Sequence, residues 1–403
     1  MVTRRNVMFG ALALVAGPML AGRGVAGDFD PAPDAGFDAW KVRFRGRAVA
    51  KGLPGAVVDA SLDAAQFLPG VIAKDRNQLE FSLSFEDYLA IAVSDERVAA
   101  GRSVLAARRG LLRQIEQGYG VPAQVVTAIW GVESFYGTKR GEVQVVSALS
   151  TLTYEGRRAD FFESQLLAAM QIVGMGVRPQ HMTGGWAGAM GHTQFIPTTY
   201  LGFRQDFRGD GVADIWGDDP TDALASAANY LKKSGWHTGA PVVQEVVIPK
   251  GLAPAGTKKL KARSVKDWAA KGVKPARGNF AGGGSAGLML PAGPSGPAFL
   301  VWANFGVLKR YNASDSYALA VGILSDRIAG GPGLVAGFPP DRNGLSQADR
   351  VVVQKRLGAL GYDCGSVDGV FGPKTTAAVK AWQRAQGMAE TGVADAAVLA
   401  ALR

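Results

Sequence analysis

The 403-residue chain contains a single cysteine, Cys364. That excludes an intramolecular disulfide and any multi-thiolate metal or redox centre, and leaves Cys364 as a small core hydrophobe. Histidine is also scarce. There are three, with no metal-ligand spacing among them, so His192 reads as structural rather than as a catalytic base. Charged residues make up only 19% of the chain, and no long Lys/Arg run, zinc-finger spacing or RNP-like pattern occurs, so nucleic acid is not an expected partner. Beyond Leu20 no stretch is apolar for the ~20 residues that a membrane span needs.

What is present is a 47% hydrophobic composition with 54 glycines, which fits tightly turned globular domains. The length implies two or three of them. Lys and Arg outnumber Asp and Glu by 44 to 34, a net charge of +10. Such a balance points to an anionic partner, which with nucleic acid set aside is a membrane surface or an acidic polymer, unless it serves solubility alone. Thr3-Arg4-Arg5-Asn6-Val7-Met8 precedes an apolar run from Phe9 to Leu20, and small residues follow to Gly24-Val25-Ala26. This pattern predicts a signal peptide over 1–26. Arg4-Arg5 fits twin-arginine export, with general secretion as the alternative. Gly17 and Pro18 interrupt the run, and no cysteine near the cleavage region offers a lipid anchor. A soluble protein outside the cytoplasm is expected.

From Phe37 to about Asn229 the pattern is mostly helical. Ser84 reads as a helix cap, Val98 to Tyr119 as one long helix, and Thr221 to Lys233 as another that closes near Gly235. Over about 241–300 valines alternate with polar residues and Gly and Pro become dense, predicting a small β-rich insertion. Helical character returns from Trp302 to Ile328. Gly330-Gly331-Pro332-Gly333 and Pro339-Pro340 mark a linker over 331–345, and 346–403 reads as a separate three-helix module. A unit of fewer than ~70 residues suits binding better than catalysis.

Glu133 is the leading catalytic residue. It follows Val125, Ala128, Ile129 and Val132, which recur at helical spacing, and Gly137 is expected to close that helix. Apolar neighbours and the negative end of the helix dipole both oppose its charge, which suits a general acid for glycosidic cleavage. The alternative is a solvated glutamate at a helix end.

The words around Glu133 decide between these. Ala128-Ile129-Trp130-Gly131-Val132-Glu133-Ser134-Phe135-Tyr136-Gly137 resembles the catalytic segment of the membrane-bound lytic transglycosylase B family. Gly188-Ala189-Met190-Gly191-His192-Thr193-Gln194-Phe195-Ile196-Pro197 resembles a second signature of that family. Ser150–Tyr154 with Arg157–Phe162 resembles a third, and Arg310-Tyr311-Asn312 with Tyr317–Val321 a fourth. Four segments in order over roughly 37–330 are specific where one would be weak. The resemblance implies a mainly α (α+β) fold: a lysozyme-like helical catalytic domain over 37–330 with the β-rich insertion, followed by the separate module.

It also implies roles. Glu133 matches the sole acid/base. Gln194, Tyr230, Tyr311, Asn312 and Tyr317 match residues that hold the sugars. Arg157 and Arg158 match a pair suited to muramic acid carboxylates, which guanidinium reads in a forked geometry. His192-Thr193 departs from the family's Tyr followed by a small residue, and Gly185 stands where a serine is frequent. Glycosidases ordinarily use two carboxylates. Here Glu155 and Asp160 are partners only by proximity in sequence, and the resemblance removes the need for one. The implied reaction is water-free cleavage of the MurNAc-β-1,4-GlcNAc bond of peptidoglycan with formation of 1,6-anhydro-MurNAc, in the periplasm. A muramidase-type hydrolase and a non-catalytic wall-binding scaffold are the alternatives.

Asp206-Phe207-Arg208-Gly209-Asp210-Gly211-Val212-Ala213-Asp214 resembles the start of an EF-hand loop. Positions one and five are Asp and position six is Gly, but Arg208 takes position three and Gly217 position twelve; Asp222 could close the ring. The metal candidates are therefore Asp206, Asp210 and Asp222, and Arg208 favours a metal-free turn with no cofactor. At the C-terminus Gln354–Leu357, Leu360-Gly361-Tyr362, Val367–Thr375 and Val379–Gln383 resemble the three-helix peptidoglycan-binding domain, implying an anchor on the glycan strands.

Overall fold

Helices make up most of the computed structural model, which describes residues 28–77, 83–252 and 262–403. The expected signal segment lies outside the described residues. The chain forms two compact units.

The first unit takes described residues 28–77 with Glu96–Thr238 and Val307–Ala313. Its first helix, Ala35–Ala50, starts where Asp34 Oδ1 accepts the Phe37 N–H at 2.7 Å. Phe37, Trp40, Phe44 and Ala48 then fall on one face and are buried. The aromatic rings stack in series, 5.4 Å from Phe37 to Trp40 and 4.9 Å from Trp40 to Phe44. Two helices, Val145–Glu155 and Ala159–Gly174, form the middle of this core with Leu149, Leu152, Phe162 and Leu166. Each such side chain contributes roughly 1.5–3 kcal/mol by leaving water. A two-stranded ladder pairs Val143 with Gly184 and Gln144 with Thr183, and Gly184 in turn bridges to Met190 of the second signature.

The expected helix from Val98 to Tyr119 is two helices, Asp95–Ala107 and Arg109–Tyr119, broken at Arg108 with φ −110° and ψ 24°. No Pro lies near the break, and Gly110 follows it by two residues. Tertiary contacts explain it: Arg97 on the first piece bonds the Gly131 carbonyl, while the Arg108 guanidinium lies 5.9 Å from the Trp130 ring. The helix Thr221–Lys233 has the expected limits, and Gly235 follows with φ +90°.

The second unit holds Leu83–Asp95, Gly239–Gly306 and Ser314–Arg403. Ser84 caps the helix Phe85–Ala92 through the Asp87 N–H, as expected. The β-rich segment is a five-stranded antiparallel sheet in the order Arg263–Ser264, Ser285–Met289, Ala298–Val301, Val243–Val247, Lys274–Pro275. A helix that the sequence reading did not anticipate, Val265–Ala270, is capped by Ser264 and buries Trp268 against the sheet core. The helical stretch after Trp302 divides into Ala303–Tyr311 and Asp315–Ile328, with Ser314 capping the second.

The last three helices are Gln347–Ala359, Pro373–Ala385 and Ala396–Leu402. Leu345, Val353, Leu357, Val379, Trp382 and Leu399 are buried together with Cys364, which is the core hydrophobe expected. Among the described residues no single helix is long and apolar enough to cross a membrane.

Candidate active site

The helix Ala123–Ser134 is buried on every side from Val125 to Val132. Glu133 is its only ionisable residue and is half-buried at its last turn. The helix stops at Ser134, three residues before the glycine expected to close it, because Phe135, Tyr136 and Gly137 are left-handed in succession, with φ of 48°, 58° and 86°. Such backbone costs energy at non-glycine residues and persists only where surroundings enforce it. Several contacts enforce it here. The Phe135 and Tyr136 N–H groups bond the Gly131 and Trp130 carbonyls. The Tyr136 hydroxyl donates to the Arg97 carbonyl at 2.7 Å, and Arg97 Nε donates to the Gly131 carbonyl at 3.0 Å. A Cβ on Gly131 would come within 2.6 Å of the Tyr136 ring, and one on Gly137 would overlap the His192 ring.

The only other non-glycine residue with positive φ among the described residues is Gln194, at 51°. Its side-chain amide donates to the Arg140 carbonyl at 2.9 Å and the Gly191 carbonyl at 2.7 Å, which leaves Oε1 as its acceptor. Thus, among the described residues, every strained non-glycine position lies in the segment after Glu133 or in the second signature.

His192 joins those two segments. Its backbone carbonyl accepts from Ser134 Oγ at 2.6 Å, and Ser134 Oγ in turn accepts from the Gly137 N–H. Its Nδ1 accepts from Trp130 Nε1 at 3.1 Å, and its Nε2 lies 2.7 Å from the Gly217 carbonyl. This pattern fits the neutral ring with hydrogen on Nε2. The ring is buried and both nitrogens are engaged, so His192 is a structural brace, as the sequence reading expected. Burial, and then the positive charges of Arg140 and Arg108, lower its pKa, against the Gly217 bond and Asp214. The unfolded chain therefore binds the extra proton first as pH falls. The contribution of His192 to stability is complete above the unfolded value of about 6.5 and is lost below it. An NMR titration of the three histidine rings should give one midpoint clearly below 6.5; three midpoints at or above that value would contradict this brace.

The aromatic candidates gather in the same unit. Tyr311 donates to the Thr193 carbonyl at 2.7 Å and Tyr230 to the Arg310 carbonyl at 2.5 Å. Their rings meet edge to face at 5.1 Å, with Phe195 5.8 Å from Tyr311. Burial raises the Tyr311 pKa well above 10, and the charge of Glu133 raises it further. Asn312 is buried next in sequence. Tyr317 differs: it belongs to the second unit and is 1% exposed, so its ring packs in a core and offers no face to a saccharide.

Arg157 and Arg158, expected to read muramic acid carboxylates, already share a carboxylate within the protein. Both guanidinium groups bond the carboxylate of Asp75, whose side chain is 2% exposed, and Arg157 also donates to the Asp75 carbonyl at 2.7 Å. Arg158 packs over the Phe162 ring at 4.7 Å. Asp75 gave no sequence signal because it sits among surface-type residues in Lys74-Asp75-Arg76. Glu155 is committed to Arg76 and to the Arg157 N–H. These partners hold its carboxyl below the usual range although burial works the other way. Asp160 is exposed in the first turn of Ala159–Gly174.

The acidic loop brings one oxygen each of Asp206, Asp210 and Asp222 within 4.8 Å of one another. Arg208 occupies the same space. Its guanidinium pairs with Asp222 at 3.0 Å and Asp210 at 3.4 Å. Asp206 accepts three backbone N–H groups, from Gly209, Asp210 and Gly211, which hold its carboxyl below the usual range.

Comparison with known proteins places this geometry. Residues 36–326 match the family described as Transglycosylase SLT domain, and 346–402 match Putative peptidoglycan binding domain. Membrane-bound lytic murein transglycosylase B of Escherichia coli K12 is 35% identical over 223 residues, 54% of this chain; the match spans 60% of that relative's length. The crystal structure of SltB3 from Pseudomonas aeruginosa in complex with NAG-NAM-pentapeptide superposes with a TM-score of 0.73 at 42% identity, covering 92% of this chain and 100% of the other. The Escherichia coli lytic transglycosylase Slt35 in complex with calcium gives a TM-score of 0.62 at 30% identity, covering 72% and 92%. With the family match spanning most of the chain, and the catalytic-type helix and second signature braced together in one unit, this chain belongs to the SLT-domain transglycosylase family.

Proposed function

We propose that the protein is a periplasmic lytic transglycosylase that cleaves the MurNAc-β-1,4-GlcNAc bond of peptidoglycan without water and leaves 1,6-anhydro-MurNAc ends. One observation carries the reading: Glu133, the sole ionisable group of a buried helix, is half-buried at a turn built from strained backbone and braced to the second signature through Ser134 and His192. Kinship supports it too, since the SltB3 relative is held in separate complexes with NAG-NAM-pentapeptide and NAG-anhNAM-pentapeptide.

Glu133 gives its proton to the glycosidic oxygen as the C1–O bond breaks, and the GlcNAc strand leaves as an alcohol. The N-acetyl group of the muramic acid stabilises the cation at C1. Glu133, now a carboxylate, takes the proton of the C6 hydroxyl, whose oxygen bonds to C1. The proton count closes on Glu133 and no water is consumed. An internal nucleophile gains from proximity what an activated water would otherwise supply. Tyr311 and Tyr230 present ring faces to the sugars, with their hydroxyl hydrogens held by backbone carbonyls. Gln194 offers Oε1 to a sugar N–H or hydroxyl, and Asn312 completes this set. Arg157 and Arg158, fixed by Asp75, each keep a terminal nitrogen for a lactyl or stem-peptide carboxylate. Residues 346–402 bind the wall and raise the local concentration of glycan strands.

Digestion of purified peptidoglycan followed by mass spectrometry tests the chemistry. The expected muropeptides carry anhydro ends. Products one water heavier, with reducing ends, would make the enzyme a hydrolase instead.

A further inference from the structure

The acidic loop has the outline of a calcium site, and a structural relative is described in complex with calcium. Its donor set in this chain does not fit a divalent ion. Asp222 is 0% exposed, and both of its oxygens are engaged. Oδ1 accepts the Phe207 and Arg208 N–H groups at 2.9 and 3.1 Å. Oδ2 accepts the Asp214 N–H at 3.0 Å and Arg208 Nε at 3.2 Å. The third loop position, which supplies an oxygen in a calcium loop, supplies a guanidinium here. That cation touches both Asp210 and Asp222, where a metal would have to lie.

We propose that the Arg208 guanidinium is a built-in replacement for the divalent cation, so that the loop folds and braces the active site without metal. The replacement is matched in kind. A buried carboxylate such as Asp222 needs a compensating charge and donors for its lone pairs. Arg208 supplies the charge together with planar, directional N–H groups. The loop matters beyond itself. Asp214 turns the chain by accepting the Trp216 and Gly217 N–H groups. The Ile215 carbonyl accepts the His192 N–H at 3.1 Å, and the Gly217 carbonyl meets His192 Nε2 and Arg140. His192 then holds Ser134, the residue after Glu133. The Arg208 loop thereby supports the turn that carries Glu133 through His192, which bonds the loop carbonyls and accepts from Ser134 Oγ.

Differential scanning calorimetry of the full chain, with EDTA or with millimolar calcium chloride, tests this independently of the reaction assigned above. Wild type should melt at the same temperature in both within about 1 °C, and calorimetric titration with calcium chloride should show no binding. Arg208→Asn restores an oxygen ligand at position three and removes the cation. It should melt lower in EDTA and recover in calcium chloride by on the order of 5 °C. Arg208→Lys keeps the charge and should stay indifferent to calcium. A calcium-dependent rise in the wild-type melting temperature overturns the proposal. So does an Arg208→Asn variant that melts like wild type in EDTA, because the guanidinium would then be supplying nothing. If Arg208→Asn fails to fold, the wild-type comparison still decides.

Discussion

Glu133→Gln abolishes release of soluble muropeptides, lowering turnover by about 10⁴-fold, the upper end for loss of a general acid–base group. The size of the effect follows from there being one such group. In an inverting two-carboxylate glycosidase, acid and base are separate residues, and loss of one leaves the other's proton transfer in place. In the reaction proposed above, the Glu133 carboxyl gives a proton in the first half and removes one in the second. The two carboxylates considered as partners do not serve: Glu155 is bonded to Arg76 and the Arg157 N–H, and Asp160 is exposed at a helix start. Glutamine keeps the volume and the helix, so the melting temperature should stay within about 1 °C of wild type. Binding to insoluble peptidoglycan should also be unchanged if residues 346–402 provide the anchor. Turbidity clearance and muropeptide chromatography read the first effect, calorimetry and pelleting the other two. A Gln variant retaining a tenth of wild-type turnover would remove Glu133 from the centre of the mechanism.

What could be read from sequence, and what could not, divides along physical lines. The helix Thr221–Lys233 was legible to the residue because its apolar spacing, its final lysines and Gly235 are all local signals. The catalytic helix was legible for the same reason, but its end was not. Gly137 looked like the stop; the helix instead ends at Ser134 because Tyr136 is pulled back by the Arg97 carbonyl 39 residues away. The break at Arg108 is of this kind too, imposed by contacts that no window of sequence contains. The arginine pair was visible as a pair, but its partner Asp75 lies 82 residues from Arg157. Buried ion pairs are specified by tertiary placement, and a buried aspartate looks like a surface one until the chain is folded. Arg208 was the opposite case. A cation inside an EF-hand-like spacing breaks a local rule, and that conflict was readable before any coordinates.

A second large effect is expected within the other compact unit. Arg350 lies on the helix Gln347–Ala359 with its side chain 5% exposed. Its guanidinium reaches Glu86 at 2.7 Å, Asp87 at 2.9 Å and Asp341 at 3.4 Å, and Nε donates to the Gly369 carbonyl at 2.6 Å. Burial alone would lower its pKa, but the three carboxylates raise it. One buried cation therefore ties the segment matched as a peptidoglycan-binding domain to the helix Phe85–Ala92, which lies in the segment matched as the SLT domain. Arg350→Ala leaves three carboxylates without their shared counter-ion and the Gly369 carbonyl without its donor. Removing one partner from a buried charge cluster costs about 3–5 kcal/mol. Lysine would not rescue it, since a single ammonium cannot serve three carboxylates and a carbonyl in a planar fork. Urea titration followed by circular dichroism should show an early transition in Arg350→Ala and a similar one in Arg350→Lys. Turnover of short soluble glycan at low temperature should survive in both, because Glu133 and its braces belong to the first unit. If Arg350→Ala unfolds at the wild-type urea concentration, the cluster is a surface decoration, and the helix Phe85–Ala92 is held by its apolar face alone.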